Sequence, residues 1–148
     1  MKLKTVSSSL AKRIAKIKSF NPNSPGLKEA NVFGLPFTPE ESEIVLIPVP
    51  WEATVSYGGG TSKGPAAILE ASAQVDLFHD EFPELWKQGI AMTDISKQLQ
   101  TQSKAAKKSA AKIIDAFGDG KSPQNDPKLK KALDEVNAAS AVMIDHVE

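Results

Sequence analysis

Cysteine is absent from this 148-residue chain, and several other features are scarce or missing. Without cysteine there are no disulfides and no thiolate metal ligands, which fits a cytosolic protein. No apolar run approaches the ~20 residues that a membrane-spanning helix needs, and no apolar stretch of a secretory signal follows the N-terminal charges. The 18 basic and 18 acidic residues cancel, so no general attraction to nucleic acid or anionic membranes is expected. We therefore expect a cytoplasmic protein without a nucleic-acid or membrane partner.

The most informative stretch is residues 44–79, which reads as a strand, a loop and a helix. Ile44–Val49 is a short apolar run rich in β-branched residues, a pattern typical of a strand covered on both faces. Pro50 cannot donate to a β-ladder and marks the end of that strand. The loop 51–63 follows, and Pro65 then opens a helix, because proline in the first turn removes no helical hydrogen bond.

The loop contains three consecutive glycines, Gly58–Gly60, and several hydroxyl groups. Loops that leave the carboxyl end of a buried parallel strand commonly hold ligands in α/β proteins, and glycine lets the backbone approach a ligand closely. A substrate-facing loop is one interpretation, and a flexible glycine turn without a ligand is the other. Neither GxGxxG nor GxxxxGK[ST] spacing is present, which disfavours a nucleotide phosphate site.

The same stretch carries a longer pattern, P-[FW]-[DE]-x-T-x-[ST]-Y…G…GP-x-AI, and resembles the first strand–loop–helix of the ureohydrolases, the family of arginases and agmatinases. The likeness is agmatinase-like, is specific over about thirty residues and is loose elsewhere. The matching residues are Pro50-Trp51-Glu52, Thr54, Ser56-Tyr57, Gly60, Gly64-Pro65 and Ala67-Ile68.

The resemblance implies a three-layer α/β/α fold with a parallel sheet and a hydrolase that releases urea from a guanidino compound such as agmatine or guanidine. It implies two metal ions, usually manganese with nickel as an option, that activate a bridging water for attack on the guanidinium carbon. It also implies a homo-oligomer, a trimer or hexamer, in the complete enzyme. The residues that we expect on the substrate side of the loop are Thr54, Ser56, Tyr57 and Gly60.

The metal-ligand motifs of that family are missing from this sequence: Gly-Gly-Asp-His, Asp-Ala-His-x-Asp and Ser-x-Asp-x-Asp-x-x-Asp-Pro. We therefore assign no catalytic and no metal-binding residue, and we expect the chain to resemble a truncated N-terminal portion that binds no metal and is inactive alone. Asp76, His79 and Asp80 would share one face if they lay on a helix and could then bind a divalent ion. A capping or surface hydrogen-bonding role is the commoner alternative.

The sequence predicts a single partial domain over 1–148. An N-terminal helix and an irregular arm occupy 1–43, and the start of the α/β core occupies 44–148. The first segment is a basic amphipathic helix, which could be a targeting or membrane-surface element or a docked surface helix. In the arm we expect Phe33, Leu35 and Phe37 to be anchors packed on the surface. The acidic residues at its end, Glu40, Glu41 and Glu43, are expected to be solvated.

Residues 89–95 predict a second short strand, and 96–117 predict a helix with a lysine-rich wet side. The residues expected on its apolar side are Leu99, Ala106, Ala110, Ile113, Ile114 and Phe117. Asp126-Pro127 begins a last helix with an N-cap and a first-turn proline. The alternative to the enzyme portion is a non-catalytic helical binding or assembly module, whose partner surfaces would be the first and last helices.

Overall fold

The computed structural model describes residues 2–24, 30–55 and 58–148 and confirms the predicted order of helices and strands. These elements are α1 (Lys2–Ser19), β1 (Ile44–Leu46), α2 (Gly64–Ser72), β2 (Ile90–Met92), α3 (Lys97–Gly118) and α4 (Pro127–Val147). Short 3-10 turns lie at Val32–Gly34, Pro39–Glu41, Thr61–Lys63 and Leu85–Gln88. The chain divides into two compact units, the strand unit (Met1–Pro48 with Ala66–Asp94) and the helix-pair unit (Val49–Pro65 with Ile95–Glu148).

The two strands pair in parallel, as a strand–helix–strand connection through α2 requires. Their register is Ile44 with Ile90, Val45 with Ala91 and Leu46 with Met92. The ladder is extended by the Thr93 N–H, which donates to the Leu46 carbonyl at 3.0 Å. Parallel pairing with intervening helices confirms the predicted fold class, the N-terminal portion of an α/β fold.

The expectation that the first strand is covered on both faces is wrong for this chain. Ile44 and Val45 are each 40% exposed, and Ile47 is also exposed. Within the described residues the sheet has two strands, so side chains that alternate across β1 have few neighbours on either face. β1 therefore has more apolar side chains than the two-stranded sheet buries.

Asn31 covers the second edge of β2 with its side chain. Its Nδ2 donates to the Met92 carbonyl at 3.1 Å, and its Oδ1 accepts from the Met92 N–H at 2.7 Å. The same Oδ1 accepts from the Val32 N–H at 2.7 Å. One carboxamide thus satisfies backbone groups that an edge strand would otherwise leave unpaired.

Two residues of the N-terminal arm, Leu35 and Phe37, are buried inside the strand unit, so the prediction that they pack on the surface is wrong for them, while Phe33 is partly buried. Leu35 and Phe37 are 0% and 1% exposed and form a buried cluster with Trp86. Phe20 lies against Trp86 with ring centroids 5.3 Å apart. Phe33 has a φ of 61°, and its N–H donates to the buried Ser72 hydroxyl of α2 at 2.9 Å. Apolar burial and specific polar contacts therefore order a segment that its prolines and glycines mark as irregular.

Helix α1 docks on the strand unit through two basic side chains. Arg13 contacts the Glu43 carboxylate at 2.5 Å and the Gln88 carbonyl at 2.6 Å. Lys16 contacts Glu41 Oε2 at 2.6 Å and the Pro36 carbonyl at 2.8 Å. Glu41 is buried, so the expectation of solvated charge is wrong there. In the described part of the chain, no helix is both long and apolar enough to cross a bilayer.

Helices α3 and α4 pack against each other in the helix-pair unit. The Ser96 hydroxyl accepts from the Leu99 N–H at 3.2 Å, and Asp126 accepts from the Lys128 N–H at 2.8 Å. The predicted N-cap at Asp126 is thereby confirmed, and Ser96 caps the start of α3 in the same way. The buried apolar residues are Leu99, Ala106, Ala110, Ile113, Leu129, Ala132 and Val136. Ile114 and Phe117 are exposed, contrary to their predicted place on the apolar side.

Candidate functional site

The glycine loop is organised around one buried carboxylate, that of Glu52, which is 7% exposed. Its Oε2 accepts hydrogen bonds from the Gly60 N–H at 2.7 Å, from the Ser62 N–H at 3.1 Å and from the Ser62 hydroxyl at 3.2 Å. Its Oε1 forms an ion pair with Lys107 of α3. A carboxylate has several acceptor positions and can satisfy all these donors at once.

Helix α3 supplies two of the contacts at this site. Lys107 reaches the Glu52 side chain, and the buried Ser103 hydroxyl accepts from the Glu52 N–H at 2.8 Å. Positions four apart lie on the same face of a helix, so a single helical face holds both the backbone and the side chain of Glu52. The expectation that the lysine side of this helix is simply wet is therefore wrong at Lys107.

The donors around Glu52 favour its ionised form. The hydrogen bond from Lys107 is the main cause, followed by the Ser62 and Gly60 N–H groups, and together they lower the pKa of Glu52 from 4.5 to about 2. Burial acts in the opposite direction, because it disfavours the charged form. The carboxylate is consequently a fixed negative charge at neutral pH.

Each of the three consecutive glycines has a structural reason in this geometry. Gly58 and Gly60 have φ values of 67° and 129°, a region that side chains with a Cβ rarely adopt. A Cβ on Gly59 would lie 3.0 Å from Glu52 Oε1 and 3.0 Å from Lys107 Nζ. Positive φ angles therefore account for Gly58 and Gly60, and close packing over the ion pair accounts for Gly59.

Of the predicted substrate-side residues, Thr54 is exposed and Gly60 has its N–H bound to Glu52. Ser56 and Tyr57 lie outside the described residues. Glu52 is part of the sequence motif but had no predicted role, and no site role was predicted for Ser62, Ser103 or Lys107. Glu52 lies close to the glycines in the sequence and could have been identified from that local pattern. Lys107 is 55 residues further along, and no nearby pattern indicates that the two side chains meet.

A family model of the arginases matches residues 42–143, most of the chain. The chain belongs to the arginase family. A segment of 41 residues is 44% identical to N(1)-aminopropylagmatine ureohydrolase of Synechocystis and covers 28% of this chain and 13% of that protein. A segment of 48 residues is 44% identical to N(1)-aminopropylagmatine ureohydrolase of Thermus thermophilus and covers 32% of this chain and 16% of that protein. No solved structure matches the chain.

The family assignment confirms the resemblance carried by the loop motif, that of the N-terminal portion of a ureohydrolase. The matched segments are a small part of both relatives, since they span less than a fifth of either length. Both relatives are consequently much longer than the segments that match this chain.

A cavity of about 340 Å³ lies beside the Glu52 cluster of this arginase-family loop. Its lining residues are Glu52, Gly59, Gly60, Ser62, Lys63, Ser103, Lys104 and Lys107. Three lysines against one glutamate leave an excess of positive charge, which repels a cationic guanidino group. The cavity is therefore poorly suited to a cationic group.

The described residues do not fit the two-metal centre that the arginase family implies. No group of three or more histidine, cysteine or acidic side chains in these ranges is arranged to hold an ion. Asp76, His79 and Asp80 lie in a non-helical segment, so they do not share the predicted helix face. Asp76 accepts from the Phe78 N–H at 2.9 Å and His79 from the Glu81 N–H at 3.2 Å, which confirms the local hydrogen-bonding alternative.

Proposed function

We propose that this chain provides the N-terminal strand–loop–helix portion of a ureohydrolase that converts a guanidino compound to urea and an amine. The observation that carries the proposal is the arginase-family match over residues 42–143. The anchored glycine loop supports it, because a loop with fixed backbone on a rigid scaffold is suited to ligand contacts.

The proposed substrate is an elongated guanidino amine. Both relatives described above are named for N(1)-aminopropylagmatine, and agmatine is its shorter counterpart; guanidine is the smallest alternative. The substrate-side residues proposed are Thr54, Ser56, Tyr57 and Gly60, with Thr54 exposed in the structure. Hydroxyl groups can orient the amine-bearing chain by hydrogen bonds while other parts of the enzyme hold the reacting carbon.

Two metal ions, most simply manganese with nickel as an option, would supply an activated water in the complete enzyme. The donor set of the described residues does not fit such a centre, so we assign this chain no metal ligand and no proton transfer. Its proposed contribution is binding and positioning. A cytoplasmic homotrimer or homohexamer is the proposed assembly.

The first test uses the chain as it is. Purified chain with added Mn²⁺ or Ni²⁺ is expected to release no urea from agmatine, N(1)-aminopropylagmatine or guanidine, because the ligand motifs are absent from its sequence. Colorimetric urea assays with a metal-free blank measure this. Metal-dependent urea release above the blank would overturn the assignment of a purely positioning role.

The second test joins the 148-residue chain to the Thermus thermophilus relative in exchange for the N-terminal portion of that relative, so that the remainder of the relative follows it. The chimera is expected to bind manganese and to release urea from a guanidino amine. In this chimera, Tyr57→Ala is expected to raise KM or lower kcat, with Tyr57→Phe as the control that keeps the ring. A folded, manganese-loaded chimera without urea release would contradict the proposed function and favour the helical binding module.

A further inference from the structure

The contacts of Glu52 join parts of the helix-pair unit that are far apart in sequence. Gly60 is 8 residues away, Ser62 is 10 and Lys107 is 55. The contacts with Gly60 and Ser62 bring the two ends of the loop together. The contact with Lys107 connects the loop to α3. The Ser103 hydroxyl adds a second tie to the same helix by accepting from the Glu52 N–H. Five donor–acceptor contacts therefore converge on a single residue.

We propose that Glu52 is a positioning residue. Its ionised carboxylate sets the backbone conformation at Gly60 and Ser62, and thereby positions the loop that carries the proposed substrate-side residues. The proposal rests on the proposed function for its link to substrate and on the described contacts for the anchoring itself. Glu52 does not touch substrate in this scheme, and its effect passes through the loop.

The charge of Glu52, and not merely its size, is required by the chemistry of its partners. A glutamine in its place would keep one acceptor oxygen and would turn an NH₂ group toward N–H or ammonium donors. Hydrogen bonds to a charged partner are shorter and about twice as strong as neutral ones. The low pKa of Glu52 agrees with this geometry. The other charged groups at the cavity are Lys63, Lys104 and Lys107.

Gly59 provides an independent sign that the anchor fixes the loop. Its backbone lies so close to the ion pair that a Cβ would meet both Glu52 Oε1 and Lys107 Nζ at 3.0 Å, a separation at which neighbouring atoms have to move. The backbone therefore rests directly on the Glu52–Lys107 pair.

The anchoring is tested on the full chain by amide hydrogen exchange followed by NMR. Glu52→Gln is expected to speed exchange of the Gly60 and Ser62 amides by about tenfold or more, since both lose a charge-assisted hydrogen bond. Amides in the middle of α3 and α4 should keep their protection. Unchanged exchange at Gly60 and Ser62 would overturn the proposal, and so would equal acceleration throughout α3, because that would indicate general destabilisation.

Matched lysine variants separate the ion pair from simple loss of a surface charge. Lys107→Met should loosen the same two amides, whereas Lys107→Arg should restore most of their protection by keeping the cation. Lys108→Met removes the adjacent exposed charge of α3 and should leave both amides unchanged. Equal effects of Lys107→Met and Lys108→Met would contradict the proposal.

Kinetics of the chimera test the link to substrate. Glu52→Gln is expected to raise KM by about tenfold while kcat changes less than about twofold, the pattern of lost binding without lost chemistry. The rise in KM should again be smaller for Lys107→Arg than for Lys107→Met. Loosened Gly60 and Ser62 amides with unchanged KM would overturn the substrate link while the anchor stands. An inactive but manganese-loaded chimera would instead count against the proposed function, with the exchange results still deciding the anchor.

Discussion

The strand unit and the helix-pair unit are stabilised by different means. The strand unit has a small, fully buried cluster around Phe37 and yet exposes apolar residues at 44, 45 and 47 of its sheet. The helix-pair unit buries one apolar face of each helix and adds a polar anchor, the Glu52 carboxylate with Lys107. Both units leave apolar side chains exposed: in the strand unit they include the strand residues, and in the helix-pair unit they are Ile114, Phe117, Val142, Ile144 and Val147.

The difference follows from how many neighbours a helix and a strand each need. A helix satisfies its backbone by itself and needs a partner for one stripe only. A strand needs neighbours at both edges and cover on both faces. Two helices can therefore form a satisfied pair from nearby sequence, whereas two short strands do so incompletely. Asn31, which pairs with Met92, shows how the arm compensates for one such edge.

The largest effect is expected from Phe37→Ala in the strand unit. Removing a fully buried aromatic ring leaves a cavity and is expected to lower the free energy of unfolding by about 3–5 kcal/mol. Urea denaturation of this variant and its control in a Trp51→Phe background, followed by Trp86 fluorescence, measures it. Phe78→Ala is the control in the same unit, because Phe78 is 65% exposed, and its effect should stay within about 0.5 kcal/mol. Equal losses for the two variants would contradict the buried arm.

Leu99→Ala makes the corresponding test in the helix-pair unit. Leu99 is buried on α3, and its truncation is expected to lower the free energy of unfolding by about 2–4 kcal/mol. Helical circular dichroism during urea denaturation reports the change. Ile114→Ala on the same helix should have little effect, since Ile114 is 53% exposed. A larger loss for Ile114→Ala would restore the sequence-based apolar face and reject the observed one.

A smaller effect is expected at the start of α4. Asp126 accepts from the Lys128 and Leu129 N–H groups at 2.8 and 3.4 Å, and Asp126→Ala should lower the free energy of unfolding by about 1 kcal/mol. Thermal or urea unfolding measures it. Asn125→Ala, one position earlier and exposed, should change stability much less. If both substitutions have the same effect, the cap does not stabilise α4.

The most local effect concerns pH. The folded loop lowers the pKa of Glu52 from 4.5 to about 2, so the stabilising contribution of its carboxylate is fully present above pH 4.5. It decreases as the pH falls below 4.5 and is lost as the pH passes about 2. Carboxyl-detected NMR should show Glu52 and the Gly60 amide titrating together. Glu52→Gln should remove the Gly60 titration, and a Glu52 midpoint near 4.5 would contradict the anchored loop.

The sequence by itself predicted the features that depend on neighbouring residues. Apolar periodicity, the N-cap at Asp126 and the Pro65 helix start are local, and the structure confirms the corresponding helices. The loop motif also led to the family that the comparisons show. The exposed side chains at 114 and 117 were misplaced, because periodicity indicates an apolar face but does not say where a partner helix ends.

Only the tertiary structure decided which side chains meet across long separations. The burial of Leu35 and Phe37 in an arm rich in proline and glycine depends on Trp86, about fifty residues further along. The pairing of Glu52 with Lys107 depends on how α3 packs in its unit. Propensity and periodicity act over a few residues, whereas packing and charge pairing depend on distance in space. The helices and strands could therefore be predicted from the sequence, whereas the contacts between them could not.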